Sequence, residues 1–114
     1  MSAITTHVLD TALGLPARDV AVELEFRGAD DRWQRAGQGR TDADGRLRTL
    51  LPQGLPLVPG VYRLCFNTAA YFAARGTAAF YPEVQISFTV ADAASHFHVP
   101  LLLSPFGYST YRGS

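Results

Sequence analysis

Lysine is missing from this chain, and all ten of its basic residues are arginines. That excludes Schiff-base catalysis and the phosphate-gripping lysine of a Walker-type loop. Cysteine is almost missing too. Cys65 stands alone, which rules out an intrachain disulfide and any cysteine-based zinc cluster. It lies in the apolar run Val61-Tyr-Arg-Leu-Cys-Phe66 and reads as a buried structural thiol rather than a nucleophile. No stretch approaches the ~20 apolar residues of a membrane-spanning helix. The opening Met1-Ser-Ala-Ile-Thr-Thr-His7 lacks the basic segment and apolar run of a secretory signal. A soluble, cytoplasmic protein with no membrane partner is therefore expected. An excess of charge is absent as well: ten arginines face ten acidic residues, so no basic footprint for nucleic acid exists.

What is present is a strongly patterned chain of 114 residues, the length of one domain spanning 1–114. Its 47% hydrophobic content is enough for a packed core and excludes wholesale disorder. Period-two alternation predicts strands over residues 4–9, 20–27, 32–40, 46–51, 61–67, 83–91, 95–103 and 108–113. Turn signals separate them, including Thr41-Asp-Ala-Asp-Gly45, an Asx-type turn with a glycine suited to positive φ. Thr68–Arg75, closed by Gly76, is the one helix expected, about two turns long. Strands at roughly ten-residue spacing predict an all-β, antiparallel sandwich.

Three positions on these strands carry chemical potential. In the strand over 95–103, Phe97, Val99, Leu101 and Leu103 form a clean core face, so His96 and His98 point out of the sandwich. His7 opposes Ile4 and Val8 in the same way. An outward surface holding imidazoles beside Leu9 and Leu102 is too apolar for a plain solvent face and reads as an interface or a cleft. His-x-His on a strand can ligate metal, but only His7 offers a third ligand, and Asp10 and Asp92 are the only carboxylates close to either motif. The same residues also read as surface histidines, or as general acids and bases titrating near neutrality. Arg46 follows the Asx turn directly; it is either a solvated surface cation or a backbone-anchored one. The tail Ser104–Ser114 keeps aromatic, hydroxyl and cationic groups to its last residue, where chain ends ordinarily fray. No Gly-x-Ser-x-Gly elbow exists, so water is the expected nucleophile of any hydrolysis.

Several motifs together resemble the transthyretin-related family: Thr6-His-Val-Leu-Asp10, Thr41-Asp-Ala-Asp-Gly-Arg46, Phe80-Tyr-Pro-Glu83 and His96-Phe-His-Val-Pro-Leu-Leu-Leu-Ser-Pro105. The terminal Tyr111-Arg-Gly-Ser114 resembles the tetrapeptide of the family's enzymatic branch, whose substrate is 5-hydroxyisourate. The resemblance covers essentially the whole chain. It implies a transthyretin-like sandwich of two four-stranded sheets with one short helix. It implies a homotetramer, a dimer of dimers, with active sites in the channel between dimers. It also implies cofactor-free opening of a cyclic amide to 2-oxo-4-hydroxy-4-carboxy-5-ureidoimidazoline in urate breakdown, and with no carboxylate shell behind the histidines the reaction is expected to be metal-independent. Carried over residue by residue, His7, Arg46, His98 and Ser114 would be catalytic, and Arg46, Tyr111, Arg112 and Gly113 would bind substrate. His96 is expected to lie further out, at the surface or behind the site. The alternative is a carrier of an aromatic ligand in the same channel, which has no need of two histidines, an arginine and the tetrapeptide.

Overall fold

The computed structural model describes residues 3–114; Met1 and Ser2, part of the opening read as lacking a leader, lie outside the described residues. Among the described residues the chain forms β1 (Ile4–Asp10), β2 (Leu15–Pro16), β3 (Ala21–Arg27), β4 (Trp33–Arg40), β5 (Arg46–Leu47), β6 (Gly60–Phe66), α1 (Thr68–Ala73), β7 (Val84–Val90), β8 (Phe97–Ser104) and β9 (Gly107–Thr110). One sheet runs β4-β3-β6-β7, and the other runs β2-β1-β8-β9 with β5 beside β2 on the same edge of β1. The expected all-β sandwich is thus present, with one short helix. Its second sheet gains an extra member because β2 and β5, two residues each, share that edge.

Alternation builds the core as the pattern requires. Val22 and Leu24 of β3, Tyr62, Leu64 and Phe66 of β6, and Val84 and Val90 of β7 are buried against Ile4 and Val8 of β1 and Phe97, Val99, Leu101 and Leu103 of β8. Cys65 falls on the opposite face of β6 and is half-buried rather than buried. Its thiol donates to Glu25 Oε1 at 3.0 Å. Burial first, then Glu25, pushes that thiol up to about 12, which leaves it protonated and inert. No helix among the described residues is long and apolar enough to cross a membrane.

Three local features depart from the expected pattern. The pair β1–β8 is parallel, from Ile4 against Phe97 to Asp10 against Leu103, although an antiparallel sandwich is expected. Alternation reports which face a residue takes, not which strand it meets. The chain between β1 and β8 is long enough for a crossover, which parallel pairing demands. Of the expected strand over 46–51, β5 keeps Arg46 and Leu47, against His7 and Thr6 of β1. Beyond it Leu50 and Leu51 are drawn into the core. The last strand stops at Thr110, and Gly113 returns to β8 by a single bridge to His98.

The helix is tied to the end of β1. Tyr71 Oη donates to Asp10 Oδ2 at 2.8 Å, and Asp10 Oδ1 accepts from the Ala12 and Leu13 amides at 3.1 Å each. Asp10 is thereby committed to structure, not to supporting a metal-bound histidine. Burial first, then Asp10, raises the Tyr71 phenol to about 12. Replacing Tyr71 with Phe leaves a buried carboxylate oxygen short of a donor. This is expected to cost ~1–3 kcal/mol in denaturant unfolding. An unchanged midpoint would show that the helix is anchored elsewhere.

Candidate active site

The outer face of β1 and β8 is where the predicted residues meet. His7 lies directly across from Arg46, and Thr5 lies beside His98 in the parallel ladder. The turn before β5 sets the arginine. Asp42 Oδ1 accepts from the amides of Asp44 and Arg46, each at 2.9 Å, while the Asp42 amide donates to Arg46 O at 2.8 Å. The Arg46 amide, then that of Asp44, holds the Asp42 carboxyl below its usual range. Gly45 adopts φ +74°, and a Cβ there would collide with Val8 O. Val8 N donates to Gly45 O at 2.7 Å, locking the turn onto β1. Arg46 therefore leaves a fixed backbone, as an anchored cation does.

The two expected histidines are held differently. His7 Nε2 lies 2.8 Å from Asp44 O. A carbonyl only accepts, so Nε2 carries the proton and Nδ1 keeps its lone pair. His98 Nδ1 lies 2.7 Å from Thr5 Oγ1. Burial first, then Arg46, lowers both histidines below the ordinary value of 6.5; His7 and His96 add to the effect at His98. Both rings are consequently neutral at pH 7, the state required of a base.

Ser114 joins His98 and Arg46 from the tail, in a cleft that His7, across from Arg46, does not line. Ser114 lines this cleft, of about 210 Å3, together with Thr5, Arg46, Arg48, His96 and His98. Gly113 makes that approach possible. Its amide donates to His98 O at 2.8 Å, and a Cβ at this position would lie 2.6 Å from the His98 ring. Tyr111 and Arg112 do not reach the cleft. They line a separate groove of about 250 Å3 with Ser87 and Phe88 of β7. The alternation expected through residue 113 ends with β9 at Thr110, so Gly113 and Tyr111 do not share a face. Arg112 instead clamps the tail: its guanidinium stacks 4.6 Å over Phe97, and Nη2 comes within 3.5 Å of His96 O.

Thr5, Thr6 and Arg48 line the cleft without being singled out in the sequence, and His96 enters it from the surface position expected of it. His96 is exposed, yet it lines the cleft, and its Nε2 lies 3.2 Å from Thr5 Oγ1. Thr5 escapes notice because a threonine in a strand reads as ordinary β-former. The available signal was its period-two spacing from His7, which puts it on the same outward face. Among the described residues no three His, Cys, Asp or Glu side chains gather where they could hold a metal ion.

Comparison with known proteins supplies the wider context. The family model described as HIUase/Transthyretin family matches residues 4–113. A 5-hydroxyisourate hydrolase from Ralstonia nicotianae is 46% identical over 118 aligned residues, covering 100% of both chains. The structure of Klebsiella pneumoniae 5-hydroxyisourate hydrolase superposes with a TM-score of 0.84 at 39% identity, covering 97% of this chain and 98% of that one. Transthyretin from Sparus aurata superposes with a TM-score of 0.90 at 33% identity, covering 99% and 97%. Matched along nearly its whole length in sequence and in fold, the chain belongs to the HIUase/Transthyretin family.

Proposed function

We propose that residues 1–114 form one hydrolase domain that opens 5-hydroxyisourate to 2-oxo-4-hydroxy-4-carboxy-5-ureidoimidazoline, without metal or cofactor. The observation that carries this reading is the cleft itself, where Arg46, His98 and Ser114 converge beside His7. In this mechanism neutral His98 takes a proton from water as the hydroxide adds to the ring carbonyl. Arg46 presents its planar fork to the oxygen that becomes negative. The tetrahedral centre then collapses: the ring C–N bond breaks, and the proton held by His98 passes to the leaving nitrogen. His7, with Nδ1 unprotonated, accepts from a substrate N–H and orients the ring. Ser114 Oγ positions water or substrate by hydrogen bonding. Gly113 lets the tail lie against His98, and Tyr111, Arg112 and Gly113 bind substrate from the channel between dimers, Arg112 also stacking over Phe97. A carrier of aromatic ligands, the role open to a transthyretin-like fold, makes no use of paired neutral imidazoles beside an anchored arginine.

The same reading includes a cytoplasmic homotetramer, a dimer of dimers, with sites at the interface between dimers. Its support is the surface: Phe80, Phe106 and Tyr111 are each more than half exposed, and β7 and β9 are sheet edges with open hydrogen-bonding groups. Light scattering at micromolar concentration is expected to give four times the chain mass. A fully active monomer would contradict the assembly.

The activity is tested by adding the protein to freshly generated 5-hydroxyisourate and following its ultraviolet absorbance. Decay much faster than the spontaneous rate is expected, and His98→Asn should reduce it by ~10²–10⁴, or roughly 2.7–5.5 kcal/mol of barrier. Decay at the spontaneous rate with the unaltered protein would refute the hydrolase. Because both imidazoles titrate below 6.5, the neutral bases persist above that value and are lost only as pH falls through their lowered values. The acid limb of the pH profile should therefore centre below 6.5; a limb centred above it would contradict a histidine base.

A further inference from the structure

Behind the cleft, Thr5 forms an arrangement that the proposed hydrolysis does not by itself require. The residue is only 3% exposed, and its hydroxyl reaches two imidazole rings. One hydroxyl oxygen lies 2.7 Å from His98 Nδ1 and 3.2 Å from His96 Nε2. A hydroxyl has a single proton to donate. If it donates to His98, His96 must donate to it; if His98 donates to it, its proton can reach His96 Nε2, unless both rings donate and the proton turns away. Two of these three arrangements tie the tautomers of the rings together through one oxygen.

We propose that Thr5 and His96 form a proton relay behind His98, carrying outward the charge that His98 acquires in the cleft. The proposal rests on the hydrolase reading for its catalytic use, although the linkage itself belongs to the free protein. In the starting state His98 Nδ1–H donates to Thr5, Thr5 Oγ1–H donates to His96 Nε2, and His98 Nε2 faces the cleft with its lone pair. When Nε2 takes the proton of the attacking water, the Nδ1 proton moves to Thr5 Oγ1 and the original hydroxyl proton moves to His96 Nε2. On His98 one N–H bond forms and one breaks; on Thr5 one O–H bond forms and one breaks; His96 gains one N–H. His98 is left neutral and carries Nε2–H, the donor needed by the leaving nitrogen. As that proton departs, the path runs backwards in the same step: the added proton leaves His96 Nε2 for Thr5 Oγ1 and the Thr5 proton returns to His98 Nδ1, so no imidazolate forms and the start is restored.

The reason to move the charge is electrostatic. His98 faces His7 from β1, Arg46 from β5, Arg48 just beyond it, His96 on its own side, and the Ser114 hydroxyl from the tail. No carboxylate lines the cleft, so an imidazolium at His98 sits beside the Arg46 guanidinium, while the nearby Asp42 is engaged by its own turn and by Arg48 at 3.7 Å. His96 is exposed, and water there solvates the charge; Arg112 approaches its backbone carbonyl, and Arg46 and Arg48 share the cleft with it. Burial and Arg46 already press His98 toward its neutral form, in agreement with that cost.

The test has two arms. In the first, ¹⁵N-histidine NMR of the free protein follows the ring nitrogens across pH. His98 Nδ1 and His96 Nε2 should change together in the unaltered protein and independently in Thr5→Val. Independent titration in the unaltered protein would overturn the relay whether or not the hydrolase reading stands. In the second, kcat for 5-hydroxyisourate should fall by roughly tenfold or more in Thr5→Val and in His96→Gln, within the ~10²–10⁴ that proton transfer contributes. KM should change little, Thr5→Ser should restore the rate, and the double variant should lose no more than either single one. Wild-type kcat in folded Thr5→Val, or losses that multiply in the double variant, would overturn the relay. An unaltered protein that leaves 5-hydroxyisourate decay unaccelerated would refute the hydrolase reading instead, with the NMR arm still deciding the linkage.

Discussion

Seven consecutive parallel pairs join β1 to β8, from Ile4–Phe97 to Asp10–Leu103. Side chains alternate across a sheet, so the register that buries Ile4, Val8, Phe97, Val99, Leu101 and Leu103 forces Thr5, His7 and His98 to the other face together. A slip of one residue would turn the imidazoles into the core and expose the apolar set. The hydrophobic effect on one face thus holds the polar constellation on the other, and it does so on strands rather than on loops. β5 adds Arg46 to the free edge of β1, opposite His7. The tail adds Ser114 from the far side of β8, through the bridge between Gly113 and His98.

The site is rich in nitrogen bases and cations and poor in carboxylates. Asp10 is spent on Tyr71 and two amides, and Asp42 on its own turn and on Arg48 at 3.7 Å. Arg46 thus serves two purposes in one place. It keeps the neighbouring imidazoles unprotonated, and it offers a positive fork to a developing oxyanion. Both effects strengthen with dehydration of the cleft, which covering by further copies of the chain would provide.

Much of this was legible in the sequence because its cause is local. Alternation through Val22-Glu-Leu-Glu-Phe26 and Phe97–Leu103 declares which face is buried, and the Asp-Ala-Asp-Gly spacing declares a turn that fixes Arg46. The illegible parts depend on partners distant along the chain. Nothing in Ile4–Asp10 states that its neighbour is β8 or that the pair is parallel. Thr5 gains its meaning from His96 and His98, some ninety residues away. The strand expected through Leu51 breaks because burying Leu50 and Leu51 outweighs continuing to pair with β1. Within one chain the aromatic ring of Phe97 draws Arg112 to the other side of β8 from the cleft, a placement that the terminal motif alone does not declare.

The central claim is that a folded sandwich becomes a hydrolytic site only when the tail lies along β8. The tail is held by little: one bridge at Gly113, a long hydrogen bond from Arg112 to His96 O, and a cation–π contact of about 0.5–1 kcal/mol at the same exposed arginine. Residues 111–114 can therefore be removed with small loss of stability, while Ser114 and the backbone packed on His98 disappear from the cleft. Thermal melting and 5-hydroxyisourate turnover of this deletion, measured beside the full chain, test the claim directly. The account predicts a melting temperature close to that of the full chain and turnover reduced to the spontaneous rate. A deletion that melts normally and still hydrolyses 5-hydroxyisourate at the full rate would contradict it.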